Sequence, residues 1–281
     1  MKKILFVATL AALIPLLFSC GKQENGGENQ FEEPRFVQYA GKLIPRGGDP
    51  APAARAIAPM AVETPVITYL EFTESGLFVI GRSSGEETVY ATGTYTTTTD
   101  GKTFSLSNGS IVTLSSSSAG LVDVTITPSG ETFKADLTKA NGTNVAYRTW
   151  TIDKVRATVK GHSAAVTAEF NGCNFDEIRK FLNDNGHKGD YLPAGSLNSI
   201  SITGANSIMF AFSDNTADCG ACSLSGDNVT FSFTSKNRLF ELENGKATIK
   251  YMDGKCILKV DGGLKGSTTT GSVTFVMSPM K

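Results

Sequence analysis

The sequence predicts a mainly β protein, in which antiparallel up-and-down meanders form one or two small barrels or sandwiches. Short runs that alternate apolar and polar residues follow one another from about residue 66 to the C-terminal end. Turn-forming dipeptides, such as Asp100-Gly101 and Asp253-Gly254, separate these runs. Patterns of helical period are nearly absent, and we expect one short helix near 175–185.

The first residues carry the parts of a secretory signal. Lys2 and Lys3 precede the apolar run 4–18, which is too short to span a bilayer stably. The run ends in Leu17-Phe18-Ser19-Cys20, which resembles a lipobox, the cleavage and acylation signal of bacterial lipoproteins. The resemblance implies that residues 1–19 are removed and that Cys20 carries lipid, so that the chain is anchored to a membrane. A plain signal peptide and an N-terminal membrane helix are the alternatives.

The charge balance does not favour nucleic acid as a partner. Without residues 1–19 the chain has 24 basic and 27 acidic residues, a net charge of -3, and it contains no basic run. Nucleic-acid binding draws much of its affinity from neutralised phosphates, so it has no electrostatic support here.

Residues 20–65 differ from the rest in composition. Six of the ten prolines lie between Pro34 and Pro65, mixed with Gly, Ala and Glu, and such a segment is typical of an extended tether. Two stretches inside it, 35–39 and 42–44, are apolar enough to form short strands docked on the following domain. Pro45 would end the second of these.

Two β units follow the tether. We place the first at 66–145, with Asn108-Gly109 as a further hairpin turn, and the second at 146–281. The second begins with a strand around Trp150 that contains a bulge at Asp153-Lys154. It then has the one convincing helix, capped by Asn174 with Glu177 three residues later, and ended by Gly186. Several hairpins complete it.

The two units contain matching segments, as an internal duplication would. Leu70–Thr73 matches 200–203, and 104–109 matches 240–245. Alternatively, 103–106 matches 230–233, which implies a different alignment of the two units. The order of tryptophan, capped helix and hairpins resembles the lipocalin-like domains common in lipoproteins of the Bacteroidetes. That resemblance matches no ligand-site motif, and no functional residue is transferred from it.

Cys219-Gly220-Ala221-Cys222 is the sharpest chemical feature. Two thiols at this spacing suit a redox disulfide or half of a zinc site, but no helix start lies beside them to lower a thiol pKa. If Cys20 carries lipid, four cysteines remain, and a structural disulfide or buried free thiols explain them. We favour a 219–222 disulfide, in a loop between strands, with Cys173 and Cys256 either paired or free.

Other candidate groups indicate no catalytic or metal site. His162 and His187 fall in expected turns, without a Gly-x-Ser-x-Gly motif. The helix macrodipole explains acids at 176 and 177, at the start of the helix. Three further aspartates lack the spacing of a calcium-binding loop and are typical of turns instead. They are Asp214, Asp218 and Asp227.

Three classes of function remain, and the first is our prediction. It is a non-enzymatic binding module, anchored through Cys20, that holds a small molecule, glycan or protein and needs no cofactor. The second is a structural or adhesive surface protein, similar to pilus-associated lipoproteins that assemble by strand exchange. The third is a thiol-disulfide enzyme that uses Cys219 and Cys222. The leader implies the outer membrane, on its periplasmic or its cell-surface face.

Overall fold

A computed structural model describes residues 41–46, 65–85, 87–115, 121–139, 144–160, 163–233, 237–240, 244–266 and 271–280. The predicted signal peptide 1–19, the predicted lipidation site Cys20, most of the predicted tether and His162 lie outside these residues. The chain is mainly β, as the sequence predicts, with one short α-helix among the described residues.

Eight antiparallel strands of the N-terminal part pair in a closed order, which we call the first ring. Each strand pairs with its neighbour in sequence, and the first strand also pairs with the eighth. The strands are β1 (Gly41–Pro45), β2 (Val66–Phe72), β3 (Leu77–Ser84), β4 (Glu87–Thr97), β5 (Thr103–Leu106), β6 (Ile111–Ser115), β7 (Leu121–Thr127) and β8 (Glu131–Lys139).

The second ring is an eight-stranded antiparallel barrel with the same order of pairing. Its strands are β9 (Arg148–Lys160), β11 (Leu197–Thr203), β12 (Ser207–Phe212), β13 (Thr216–Ser225), β14 (Asn228–Phe233), β15 (Asn244–Met252), β16 (Lys255–Asp261) and β17 (Ser272–Pro279). Its first strand, β9, contains the predicted bulge, because the register against β17 skips Asp153.

The segment between β9 and β11 leaves the barrel and returns to cover it. Strand β10 (Ala165–Asn171) pairs with the second half of β9 and leads into helix α1 (Phe175–Asp184). The Asn174 side chain accepts hydrogen bonds from the first-turn amides of α1, as predicted. Buried residues of the helix, among them Phe175 and Leu182, join the apolar core of the second ring. A short 3-10 turn (Gly189–Tyr191) follows.

The two rings place two pairs of matched segments at equivalent positions. Segment 70–73 reaches into β2, the second strand of the first ring, and 200–203 lies in β11, the second strand of the other. Segments 103–106 and 230–233 form part of the fifth strands, β5 and β14. The alternative match aligns 104–109, which begins in the fifth strand of the first ring, with 240–245, which follows the fifth strand of the second ring. These positions are not equivalent. The topology therefore favours the alignment through β5 and β14.

Each ring encloses an apolar cluster, and a third cluster joins the rings. Outward-facing side chains of the first ring, including Tyr69 and Tyr90, pack on outward-facing Met209 and Cys219 of the second. Strand β4 also pairs with β13, where Ala91 lies opposite Thr216. The rings thus share a continuous stretch of sheet, which fixes one against the other.

Three details differ from the sequence prediction. Residues 41–45 lie within the predicted tether but form β1, so the apolar stretch 42–44 does dock as a short strand, with Leu43 fully buried in the first ring. Strand β10 was not predicted, because most of its residues are exposed and it lacks clear alternation. Strand β13 occupies residues that the sequence predicts as a loop, because its small and polar residues give no period-two pattern. It is buried on both faces where the rings meet.

Candidate functional site

An open groove lies on the second ring across β13, β14 and β15. Its volume is about 450 Å³, within the usual range for small-molecule sites. The antiparallel register brings three rows of residues side by side, which together line most of the groove. The lining consists of Ala221, Cys222, Ser223, Thr230, Phe231, Ser232, Gly245 and Lys246.

One row supplies the polar edge of the groove. Ser223, Thr230 and Lys246 lie opposite one another on successive strands and are exposed. The hydroxyls of Ser223 and Thr230 are hydrogen-bonded at 2.7 Å. This row offers two hydroxyl groups and one cation to a bound molecule.

The neighbouring row supplies an apolar floor. Cys222 and Phe231 face the barrel interior and are buried, and Gly245 lies opposite Phe231. A Cβ atom on Gly245 would overlap the Phe231 ring, so the ring occupies the space that a side chain would need. The close approach of ring and backbone requires glycine at this position.

Phe231 also belongs to an aromatic cluster at this end of the barrel. Its ring centroid is 5.6 Å from that of Phe233, 5.9 Å from that of Phe240 and 6.4 Å from that of Phe210. Beneath it, Phe231 and Gly245 line a narrow inner space that is too small to hold a water molecule. The Phe231 ring therefore separates the open groove from an inner space beside Val260.

Another small space lies between the rings and has charged and polar side chains in its lining. Glu71, Glu74, Arg148 and Thr203 are among its lining residues, and its volume is about 10 Å³, enough for no more than about one water molecule. Partial burial raises the pKa of Glu74, and the charge of Arg148 opposes that rise. This space is too small for an organic ligand.

The four described cysteines are buried and none of them forms a disulfide, so the favoured 219–222 bond is absent. Residues three apart in a strand point to opposite faces, and both cysteines lie within β13. Cys219 contacts the first ring, whereas Cys222 faces the barrel interior. Cys173 and Cys256 lie in the core of the second ring.

Burial also makes these thiols hard to ionise. It raises the pKa of Cys173 and of Cys222 to about 12, and it raises the pKa of Cys256. Burial and the nearby Glu71 charge raise the pKa of Cys219 well above its ordinary value. The arrangement therefore disfavours the thiolate that a redox enzyme needs.

The other candidate residues named from the sequence do not come together in one site. Nε2 of His187 is hydrogen-bonded to the Lys160 carbonyl oxygen at 2.8 Å. Asp214 and Asp218 both contact Arg238, at 3.4 Å and 3.0 Å, whereas Asp227 lies beyond the opposite end of β13. Asp176 is paired with Arg179 at the start of α1, where Glu177 is exposed.

Among the residues described, no cluster of three or more histidine, cysteine, aspartate or glutamate side chains is arranged to hold a metal ion. In the same part of the chain, no helix has the length and apolar character needed to cross a membrane. Comparison with known protein families, with curated proteins and with solved structures gives no match to this chain.

Sequence reasoning found Cys222 but missed the groove around it. The hairpin from β13 to β14 brings Ser223 next to Thr230, but the sequence shows no signal that joins them to Lys246. The one available clue is Gly245, a glycine at the start of a predicted strand, which often marks a close approach of the backbone.

Proposed function

We propose that the chain is a lipid-anchored, non-enzymatic binding module of the cell envelope, and that the groove on β13–β15 is its ligand site. The observation that carries this proposal is the combination of an apolar floor, a hydroxyl-bearing edge and a volume of about 450 Å³. Cys20, at the end of a lipoprotein-like leader, supports the anchor and the outer-membrane location.

The lining indicates the chemistry of the ligand. Phe231 and the backbone of Gly245 offer apolar surface, whereas Lys246 places one cation at the edge. A small molecule with an apolar body and an anionic group matches both. Sugar binding has less support, because the groove has a single aromatic side chain in its floor and no aromatic platform.

The buried thiols support a function other than thiol chemistry. A dithiol enzyme needs two sulfur atoms on one accessible face, and Cys219 and Cys222 lie on opposite faces of β13. The raised pKa values of both thiols also disfavour the thiolate that such an enzyme would need.

The dye 8-anilinonaphthalene-1-sulfonate tests the site, because it has an aromatic body and one sulfonate. We expect saturable fluorescence enhancement with the folded protein. Ala221→Trp fills the groove from an exposed position and should abolish the enhancement, whereas Lys246→Gln should weaken binding several-fold. Ala165→Trp, at an exposed position on β10, is the matched control and should bind as the unchanged protein does.

Equal dye binding by all four proteins would show that the groove is not the site. Circular dichroism of each variant confirms that the comparison is made on folded protein. Membrane retention is measured separately, so that failure of the groove and failure of the anchor are distinguishable.

A further inference from the structure

Strand β1, which closes the first ring, buries fewer apolar side chains than β9, its counterpart in the second ring. In β1, Leu43 is the one large apolar side chain that is fully buried, and Ile44 is 43% exposed. In β9, the equivalent strand, Trp150 and Val155 are fully buried, and three other apolar side chains are buried with no more than 7% exposure. The closure of the first ring therefore depends on one buried apolar side chain, on the backbone ladder and on the exposed ion pair of Arg46 with Asp136.

The connection that follows β1 is far longer than its geometry requires. β1 and β2 are antiparallel neighbours with Leu43 opposite Leu70, so the end of β1 lies close to the start of β2. A hairpin of two to five residues would join them. The chain instead inserts residues 47–64, which when extended could span roughly 60 Å.

We propose that β1 exchanges between copies of this chain, so that the strand 41–45 of one molecule occupies the slot between β2 and β8 of another. Because β1 buries only one large apolar side chain, it can leave its own ring. The long connection then allows it to reach a second molecule. Exchange rebuilds the same contacts, including Ile44 opposite Asp136, so no new surface has to be complementary. This inference is independent of the groove on the second ring.

The slot is shaped for this strand in particular. At its entry, a Cβ atom on Gly41 would overlap the Thr138 carbonyl oxygen, so the slot accepts glycine there. Two positions later Leu43 enters the apolar core, and Arg46 then pairs with Asp136 at 2.9 Å. Residues 41–46 meet these three requirements, which favours a second copy as the partner.

Cysteine cross-linking between two differently tagged chains tests the exchange. One chain carries Ile44→Cys and the other Asp136→Cys, a register pair at the ring closure. Both also carry Cys20→Ser. The mixture is equilibrated at increasing concentration and then oxidised. We expect a covalent heterodimer whose yield rises with concentration and exceeds that of the control several-fold.

The control mixture combines Ile44→Cys with Lys259→Cys, an exposed position on β16 of the second ring. A third chain carrying both Ile44→Cys and Asp136→Cys shows whether this pair forms a disulfide when β1 stays in its own ring. If that internal bond forms but the mixed chains give no more heterodimer than the control, β1 does not exchange and the proposal fails.

Discussion

Glu71 of the first ring accepts a hydrogen bond from the Thr203 hydroxyl of the second ring, at 2.7 Å. The carboxylate is fully buried and also accepts from the Tyr69 hydroxyl, which is 3.2 Å from the Ser207 hydroxyl across the interface. A buried carboxylate is tolerated only where donors meet it, and here one of the donors comes from the opposite ring. Glu71 therefore couples the two rings.

The first prediction is that removing this carboxylate destabilises the protein. Glu71→Ala leaves the Tyr69 and Thr203 hydroxyls without their acceptor, and we expect a loss of ~1–3 kcal/mol in the free energy of unfolding. Glu71→Gln keeps one acceptor oxygen and should lose less. Urea denaturation measures both, with Glu87→Ala at an exposed position as the control.

The single tryptophan shows whether the rings come apart in these variants. Trp150 is fully buried in the second ring and donates a hydrogen bond to the Ala146 carbonyl oxygen. Its fluorescence therefore reports on that ring, whereas circular dichroism reports on both. Coincident transitions in the unchanged protein that separate in Glu71→Ala would support coupling through Glu71, and an unchanged free energy would contradict it.

Local signals predicted much of the β architecture. At Asp253-Gly254 both residues have positive φ, which is the geometry expected of a tight hairpin turn. Asn174 marks the start of the one α-helix described, because a cap is encoded within a few residues of sequence. Such features need no knowledge of distant contacts.

The contacts between rings could not be predicted in this way. Glu71 looks like a solvent-facing residue of an alternating strand, and it is buried because a second ring lies against that face. The burial of Cys219 could not be predicted for the same reason, because its side chain packs against the other ring. The groove likewise depends on the register of three strands, which no local pattern specifies.

The second prediction concerns β1 as part of the fold. Leu43→Ala removes a fully buried side chain from the core of the first ring and should cost ~2–5 kcal/mol. Ile44→Ala, one residue later and 43% exposed, should change stability by no more than ~0.5 kcal/mol. Equal effects in urea denaturation would indicate that β1 is not docked in the ring.

The third prediction is a loss of stability at alkaline pH that depends on Cys222. Burial raises the pKa of this thiol from 9.0 to about 12. Between these values the unfolded chain releases the proton and the folded chain keeps it, so stability falls as pH rises, by up to about 1.4 kcal/mol per pH unit. The stability is fully present below pH 9 and is lost toward pH 12.

Cys222→Ala should remove this contribution, so that its free energy of unfolding falls less steeply above pH 9 than that of the unchanged protein. Urea denaturation across that pH range compares the two slopes, and the tyrosines and other cysteines are common to both proteins. Parallel slopes would mean that Cys222 ionises as readily in the folded chain as in the unfolded one.

The fourth prediction tests the lipid anchor. Cys20→Ala removes the thiol that would be acylated under the proposed lipid anchoring, so the protein should leave the membrane fraction while keeping its fold. Cell fractionation followed by immunoblotting measures this. Ser19→Ala changes the neighbouring residue and should leave the protein in the membrane fraction. A Cys20→Ala protein that still sediments wholly with membranes would show that another feature anchors it.

The last prediction concerns the packing of Gly245 against Phe231 in the floor of the groove. Gly245→Ala places a methyl group where the ring lies and should cost ~1–3 kcal/mol, because the ring has to move. Phe231→Ala leaves a cavity and should cost ~3–5 kcal/mol. In the double variant the methyl group meets no ring, so its cost should be smaller than the sum of the single costs by ~0.5–3 kcal/mol. Urea denaturation of the four proteins gives this coupling energy directly. Simple additivity would show that the ring does not fill the space above Gly245, and the separation between the open groove and the inner space would then need another cause.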